Sequence, residues 1–173
     1  MSLTAFLATY GALLSSVALG WNLYRDLRDR ASVKVRLSLK RIATSTDGRH
    51  YAVAPDLNVA GASEQVFVYL SITNVGRRPV KLVGMGGTYE HPVNGKSSFQ
   101  VAAVNMPKIL SEGEDSFEFN PDFVLVSENV KSLYVNDTTH KEWKVGRRNL
   151  RSVKEQAKRY EAILNQSVID REG

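Results

Sequence analysis

The chain has no cysteine and only three histidines. Without cysteine there are no disulfides, no thiolate metal sites and no cysteine nucleophile. That absence fits a cytoplasmic domain. His50, His91 and His140 fall on separate loops or strand ends. No pair of them has the i, i+4 spacing that sets two metal ligands on one helix face. Gly-x-Ser-x-Gly is missing as well. Gly95-Lys96-Ser97 has the ending of a P-loop, but Glu90 stands where that loop needs its first glycine. Gly84–Gly87 opens no helix, so it reads as a bulge or a close backbone approach, not a dinucleotide fingerprint. Neither catalysis nor a cofactor or metal is expected.

Charge is also absent from Leu3 to Tyr24, 22 residues without Asp, Glu, Lys, Arg or His. As a helix this stretch is roughly 33 Å long, the thickness of a hydrocarbon core of about 30 Å. Trp21 and Tyr24 close it, where amphipathic rings favour the headgroup layer. A secretory signal wants a basic start, and Met1-Ser2-Leu3 offers none. An interfacial helix wants a charged face. A buried helix of a soluble domain is the remaining alternative, since Ala, Ser, Thr and Gly make the segment only moderately apolar. The reading is a transmembrane helix. Arg25, Arg28, Arg30, Lys34, Arg36, Lys40 and Arg41 follow it, and no basic residue precedes it. Lys and Arg stay on the cytoplasmic side. The expectation is therefore a single-pass protein of a bacterial-type inner membrane, amino terminus out, with the rest cytoplasmic.

The rest alternates. In Ser32–Lys40, Val33, Val35, Leu37 and Leu39 share one face, and Lys34, Arg36, Ser38 and Lys40 share the other. Period two means a half-buried strand. Val66, Val68, Leu70 and Ile72 repeat the pattern, while Phe67 and Tyr69 face the other way on a surface that is partly covered. Further strands are expected over 80–86, near 88–91, and over 98–104, 116–119, 131–137 and 143–145. Asn94-Gly95 is a two-residue hairpin signal. Seven or eight strands with turns about every ten residues fit an antiparallel sandwich, not a βαβ fold. From Leu150 the period changes: Leu150, Val153, Ala157, Tyr160 and Leu164 form one helical stripe. This amphipathic helix either packs on the sandwich edge, binds a partner or lies on the membrane surface. The division is 1–30 anchor and juxtamembrane basic segment, 31–147 β-sandwich, and 148–173 carboxy-terminal helix.

Val66–Met85, VFVYLSITNVGRRPVKLVGM, resembles the strand, Asn-x-Gly, strand signature of bacterial immunoglobulin-like modules. The order of anchor, basic strand, Asn-x-Gly hairpin and then Met106–Phe119 resembles small bacterial single-pass membrane proteins. The resemblance implies a mainly β chain with an immunoglobulin-like β-sandwich. It brings no catalytic residue and no activity.

The net charge of +5 is unevenly spread. Residues 25–41 carry +5 and residues 141–159 carry +6, which leaves −6 for everything else. Arg25, Arg28, Arg30, Lys144, Arg147, Arg148 and Arg151 are candidates for contact with anionic lipid headgroups or a partner. Nucleic acid is the other polyanion, with Tyr134, Trp143 and Tyr160 available to stack on bases, but no recognised binding motif supports it. The acidic run 111–122 reads as a solvated turn before an edge strand; its spacing does not match a calcium loop. Asn136-Asp-Thr138 and Asn165-Gln-Ser167 match glycosylation acceptors that a cytoplasmic domain would not use. In the anchor, Thr4, Ala8, Ala12, Ser16 and Gly20 recur every four residues, and small residues let helix backbones approach in lipid. They are candidates for homo-oligomerisation or association with a membrane-protein partner. The function expected is a membrane-tethered, non-catalytic interaction or accessory module. The alternative is a membrane-linked sensor that binds nucleic acid or a nucleotide ligand through the basic segments.

Overall fold

The computed structural model describes residues 2–57 and 59–172, without the side chains of residues 5, 27, 28, 64 and 163–172. Helix α1 runs from Leu3 to Arg28. Its stretch Phe6–Asp26 is long and apolar enough to cross a membrane, and none of it is buried. That exposure removes the buried-helix alternative: among the described residues the core draws nothing from α1.

Nine strands follow among the described residues: β1 Val33–Thr44, β2 His50–Val53, β3 Ala62–Asn74, β4 Val80–Val93, β5 Lys96–Val101, β6 Lys108–Leu110, β7 Asp115–Asn120, β8 Val130–Asp137 and β9 Glu142–Lys144. They form two antiparallel sheets. Sheet A has the order β2-β1-β3-β7, and sheet B the order β5-β4-β8-β9 with β6 paired to the start of β4. The alternation read from the sequence sets the faces. Val33, Val35, Leu37 and Leu39 of β1 and Val66, Val68, Leu70 and Ile72 of β3 point into one core. Leu82 and Met85 of β4 and Leu133 and Val135 of β8 meet them from sheet B. Each such side chain contributes roughly 1.5–3 kcal/mol on burial.

β4 is one strand where the sequence suggests two. Its glycines are close approaches, not breaks. A Cβ on Gly86 would sit 2.5 Å from the Phe99 carbonyl oxygen, and one on Gly87 2.6 Å from that of Ser132. The strand absorbs register shifts at Leu82/Gly84 and Thr88/Tyr89, which are the bulges such glycines mark. Asn94 (φ 50°) and Gly95 (φ 74°) then turn the chain into β5, with Val93 opposite Lys96. β2 and β6, four and three residues long, have no counterpart among the strands expected from the sequence. So short a strand shows no period of its own.

The acidic run 111–122 does precede and form an edge strand, β7, but one member is not solvated. Glu118 is 3% exposed. Its carboxylate accepts from the backbone N–H groups of Val104 (2.9 Å) and Asn105 (2.8 Å), so it ties the preceding loop to β7. In the β8–β9 turn Asp137 does similar work. It accepts from the Thr139 N–H and hydroxyl, the Lys141 N–H and the Trp143 indole N–H. Burial pushes the Asp137 carboxyl up; these donors outweigh it and hold the group below its ordinary range.

Helix α2, Arg147–Glu172, begins one turn before the apolar stripe. Leu150, Val153 and Ala157 are buried in the common core, and Tyr160 packs on its margin. The first half of α2 therefore covers the open side of the domain beside β1 and β8. Leu164 lies outside the described side chains.

Candidate membrane-proximal basic surface

The site starts where α1 ends. Residues 29–32 join α1 to β1, and the β3–β4 turn grips them. Ser32 accepts through its carbonyl from the N–H groups of Val75 (2.8 Å) and Gly76 (3.0 Å). Asp29 pairs with Arg77 (3.5 Å) and Asp26 with Arg78 (3.1 Å). These ion pairs are exposed and worth little each, roughly 0–1 kcal/mol. The turn itself is built by Asn74, which is fully buried. Its side-chain amide donates to the carbonyls of Arg78 (2.9 Å) and Leu110 (3.0 Å), and its side-chain oxygen accepts from the Gly76 N–H (3.0 Å). The Asn-x-Gly string thus has a physical basis here: asparagine braces the turn, and glycine leaves room for the linker.

Beside this junction lies the β9–α2 corner. A groove of about 620 Å³ is lined by Ser32 to Arg36, Val75, Lys144, Gly146 and Asn149. Lys34 and Arg36 of β1 thereby meet Lys144 of β9, more than 100 residues later in the chain. A second groove, of about 860 Å³, continues past Lys144 and Gly146 to Arg147, Arg151, Lys131 and Lys154. The two basic segments of the sequence therefore form one surface next to the end of α1.

Its charges are not equally free. Lys144 pairs with Glu142 (3.1 Å) and Lys131 with Glu90 (3.8 Å). Lys154 donates to the carbonyls of Glu128 and Val130, and Lys158 to the Glu128 carboxylate. Burial pushes the Lys154 ammonium below its ordinary range, against the pull of Glu128 and Glu90. Lys158 holds the Glu128 carboxyl low. Arg25, Arg30, Lys34, Arg36, Arg147, Arg148 and Arg151 are exposed, and none has an ion pair among the described residues. The Arg28 side chain lies outside the described residues.

Asn149 fixes the corner. Its side-chain oxygen accepts from the Leu37 N–H (2.7 Å), and its amide donates to the Leu37 carbonyl (2.8 Å). One side chain thus fills the place of a neighbouring strand on the open edge of β1. Nothing in Arg-Arg-Asn-Leu marks this role.

The small-residue row of α1 has a different geometry from a straight stripe. Thr4, Ala8, Ala12, Ser16 and Gly20 are all exposed. Four residues advance about 400° around a helix, so each step turns the row by about 40°. Five members wrap about 160°, and about three neighbours share a face. The Ser15 and Ser16 hydroxyls donate back to the carbonyls of Gly11 (2.8 Å) and Ala12 (2.9 Å) and so need no partner.

His50, His91 and His140 are exposed on separate elements, and His50 shares a hydrogen bond with the Thr44 hydroxyl. Among the described residues no three His, Asp or Glu side chains converge as a metal site would require. Comparison with protein-family models, curated proteins and solved structures finds no match.

Proposed function

We propose that this chain is a single-pass, non-catalytic module of a bacterial-type inner membrane, and that it presents an immunoglobulin-like sandwich held against the anionic cytoplasmic leaflet. The observation that carries this reading is the convergence of the two basic segments beside the anchor exit. A basic surface so placed meets the headgroups before any other polyanion. Each Lys or Arg near an anionic leaflet contributes about 1 kcal/mol, so the unpaired arginines of α2 together with Lys34 and Arg36 supply several. The strand order supports the immunoglobulin-like reading. With β1, β3 and β7 as strands A, B and E, and β4, β5, β8 and β9 as C, C′, F and G, the A-B-E and C′-C-F-G orders match that fold, while β2 and β6 are left without an assignment in it. The basic residues after α1 support a cytoplasmic domain. The exposed small residues of α1 support a membrane partner, either a second copy or another helix.

The test places a fluorophore on Ser152→Cys, an exposed α2 position in a chain that has no other cysteine. Full-length protein in nanodiscs containing anionic lipid should be quenched by headgroup-borne quencher. The quenching should fall in high salt and with Arg147→Glu, Arg148→Glu and Arg151→Glu combined. Equal quenching in neutral lipid would defeat the docking. Displacement from anionic discs by a single-stranded oligonucleotide at equal charge concentration would favour the nucleic-acid sensor instead.

A further inference from the structure

The outer face of sheet A carries a feature that the basic corner does not explain. Along β1, Arg36, Ser38 and Lys40 point outward, opposite Ser71, Tyr69 and Phe67 of β3. Beyond β3, Phe117 lies opposite Ser71 and Phe119 opposite Tyr69. A lane of cations therefore runs beside a lane of aromatic rings on one face. The rings pack on one another: Tyr69 and Phe119 are 4.9 Å apart, and Tyr69 and Phe117 stack at 6.1 Å. Even so, Phe117 stays 49% exposed, and so does Tyr51 at the β2 margin of the same cleft. Exposed rings grouped like this mark a contact surface. Asp115, at the Lys34 level, is a carboxylate on this face, and it lies beyond the rings.

We infer that this face is a second membrane contact, so that sheet A lies along the bilayer, with rings at the headgroup level and cations on anionic lipid. The inference rests on the docking proposed above. Three observations favour a bilayer as occupant. The cations call for an anionic partner, and the rings call for one with an apolar layer beneath the charge, as in the aromatic belts of membrane proteins. Arg36 belongs both to this lane and to the basic corner, so the two surfaces are continuous. Only residues 29–32 separate α1 from β1, and the β3–β4 turn grips them. So short a tether gives the membrane an effective concentration that no free ligand matches.

The experiment uses full-length protein in nanodiscs with the label at Ser38→Cys, between Arg36 and Lys40, and a control label at Gln100→Cys, exposed on β5 of the other sheet. With anionic lipid, the label at 38 should shift to the blue and lose intensity to lipid-borne quencher, while the label at 100 should not. Tyr69→Ser with Phe117→Ser should abolish the shift at 38 and leave the label at 152 quenched. Where that pair does not fold, Tyr51→Ser on the short edge strand should reduce the shift. Quenching at 152 without quenching at 38 overturns this inference and leaves the docking standing. Quenching at neither position overturns both. A signal at 38 that follows the number of protein copies per disc, or the addition of single-stranded oligonucleotide, assigns the face to another partner and overturns the inference.

Discussion

Gly76 lies directly against the linker between α1 and β1. A Cβ there would collide with the Arg30 carbonyl oxygen and the Ser32 nitrogen. Both are backbone atoms, so neither can swing aside as a flexible side chain would. Gly76→Ala must push the linker out or shift the β3–β4 turn, at a cost of roughly 1–3 kcal/mol. Thermal unfolding of the variant should begin earlier, and amide exchange at Val75 should quicken, because its acceptor on Ser32 moves. Gly146 makes a control: its Cβ would meet nothing within 4 Å, so Gly146→Ala should leave the midpoint unchanged or slightly raised. Equal midpoints for the two variants would show that the linker is not held at Gly76. Asn74 completes the same joint from within, since its side chain satisfies two carbonyls and one N–H.

At the scale of elements, α2 closes the domain through two kinds of contact. Leu150, Val153 and Ala157 supply apolar burial, and Asn149 supplies the hydrogen bonds of a missing strand. The second contact matters because an unpaired backbone group away from water costs roughly 1–3 kcal/mol. Asn149→Ala leaves both Leu37 groups without these partners. Its urea midpoint should fall with the slope unchanged, and the Leu37 amide should exchange faster. Asn149→Asp should not rescue it, because a carboxylate would face the Leu37 carbonyl. An unchanged midpoint in both variants would mean that water serves the β1 edge as well as Asn149 does. Helix α1 makes no comparable contact: Asp26 near its end pairs with Arg78, and Asp29 of the linker pairs with Arg77. Its exposed apolar surface needs lipid or another helix.

For the whole molecule, the charge distribution has a direction. The basic segments flank the end of α1, and the rest of the chain carries the opposite sign. Seven basic residues within residues 25–41 predict that the domain stays on the cytoplasmic side. A reporter that is active only in the cytoplasm, fused after Gly173, should be active, and one active only outside should be silent. The reverse pattern would move the basic surface away from the leaflet it is proposed to meet.

Periodicity by itself determined most of the elements. Period two fixed the inward faces of β1 and β3, and a stretch without charge fixed a helix apolar enough to cross a membrane, because both follow from which residues water rejects. Turn chemistry fixed the hairpin at Asn94-Gly95. What local pattern could not supply was anything set by a distant neighbour. The continuity of β4 through Gly86 and Gly87 depends on β5 and β8 lying close enough to need glycine. The burial of Glu118 depends on a loop folding back onto it. Lys34 and Lys144 share a groove only because β9 ends beside β1, and Asn149 acts only because a strand edge lies open before it. The sequence determined a helix apolar enough to cross a membrane, a β domain and two basic segments. The tertiary structure decided that the segments make one surface beside the end of α1, since only packing brings together charges that the chain holds more than 100 residues apart.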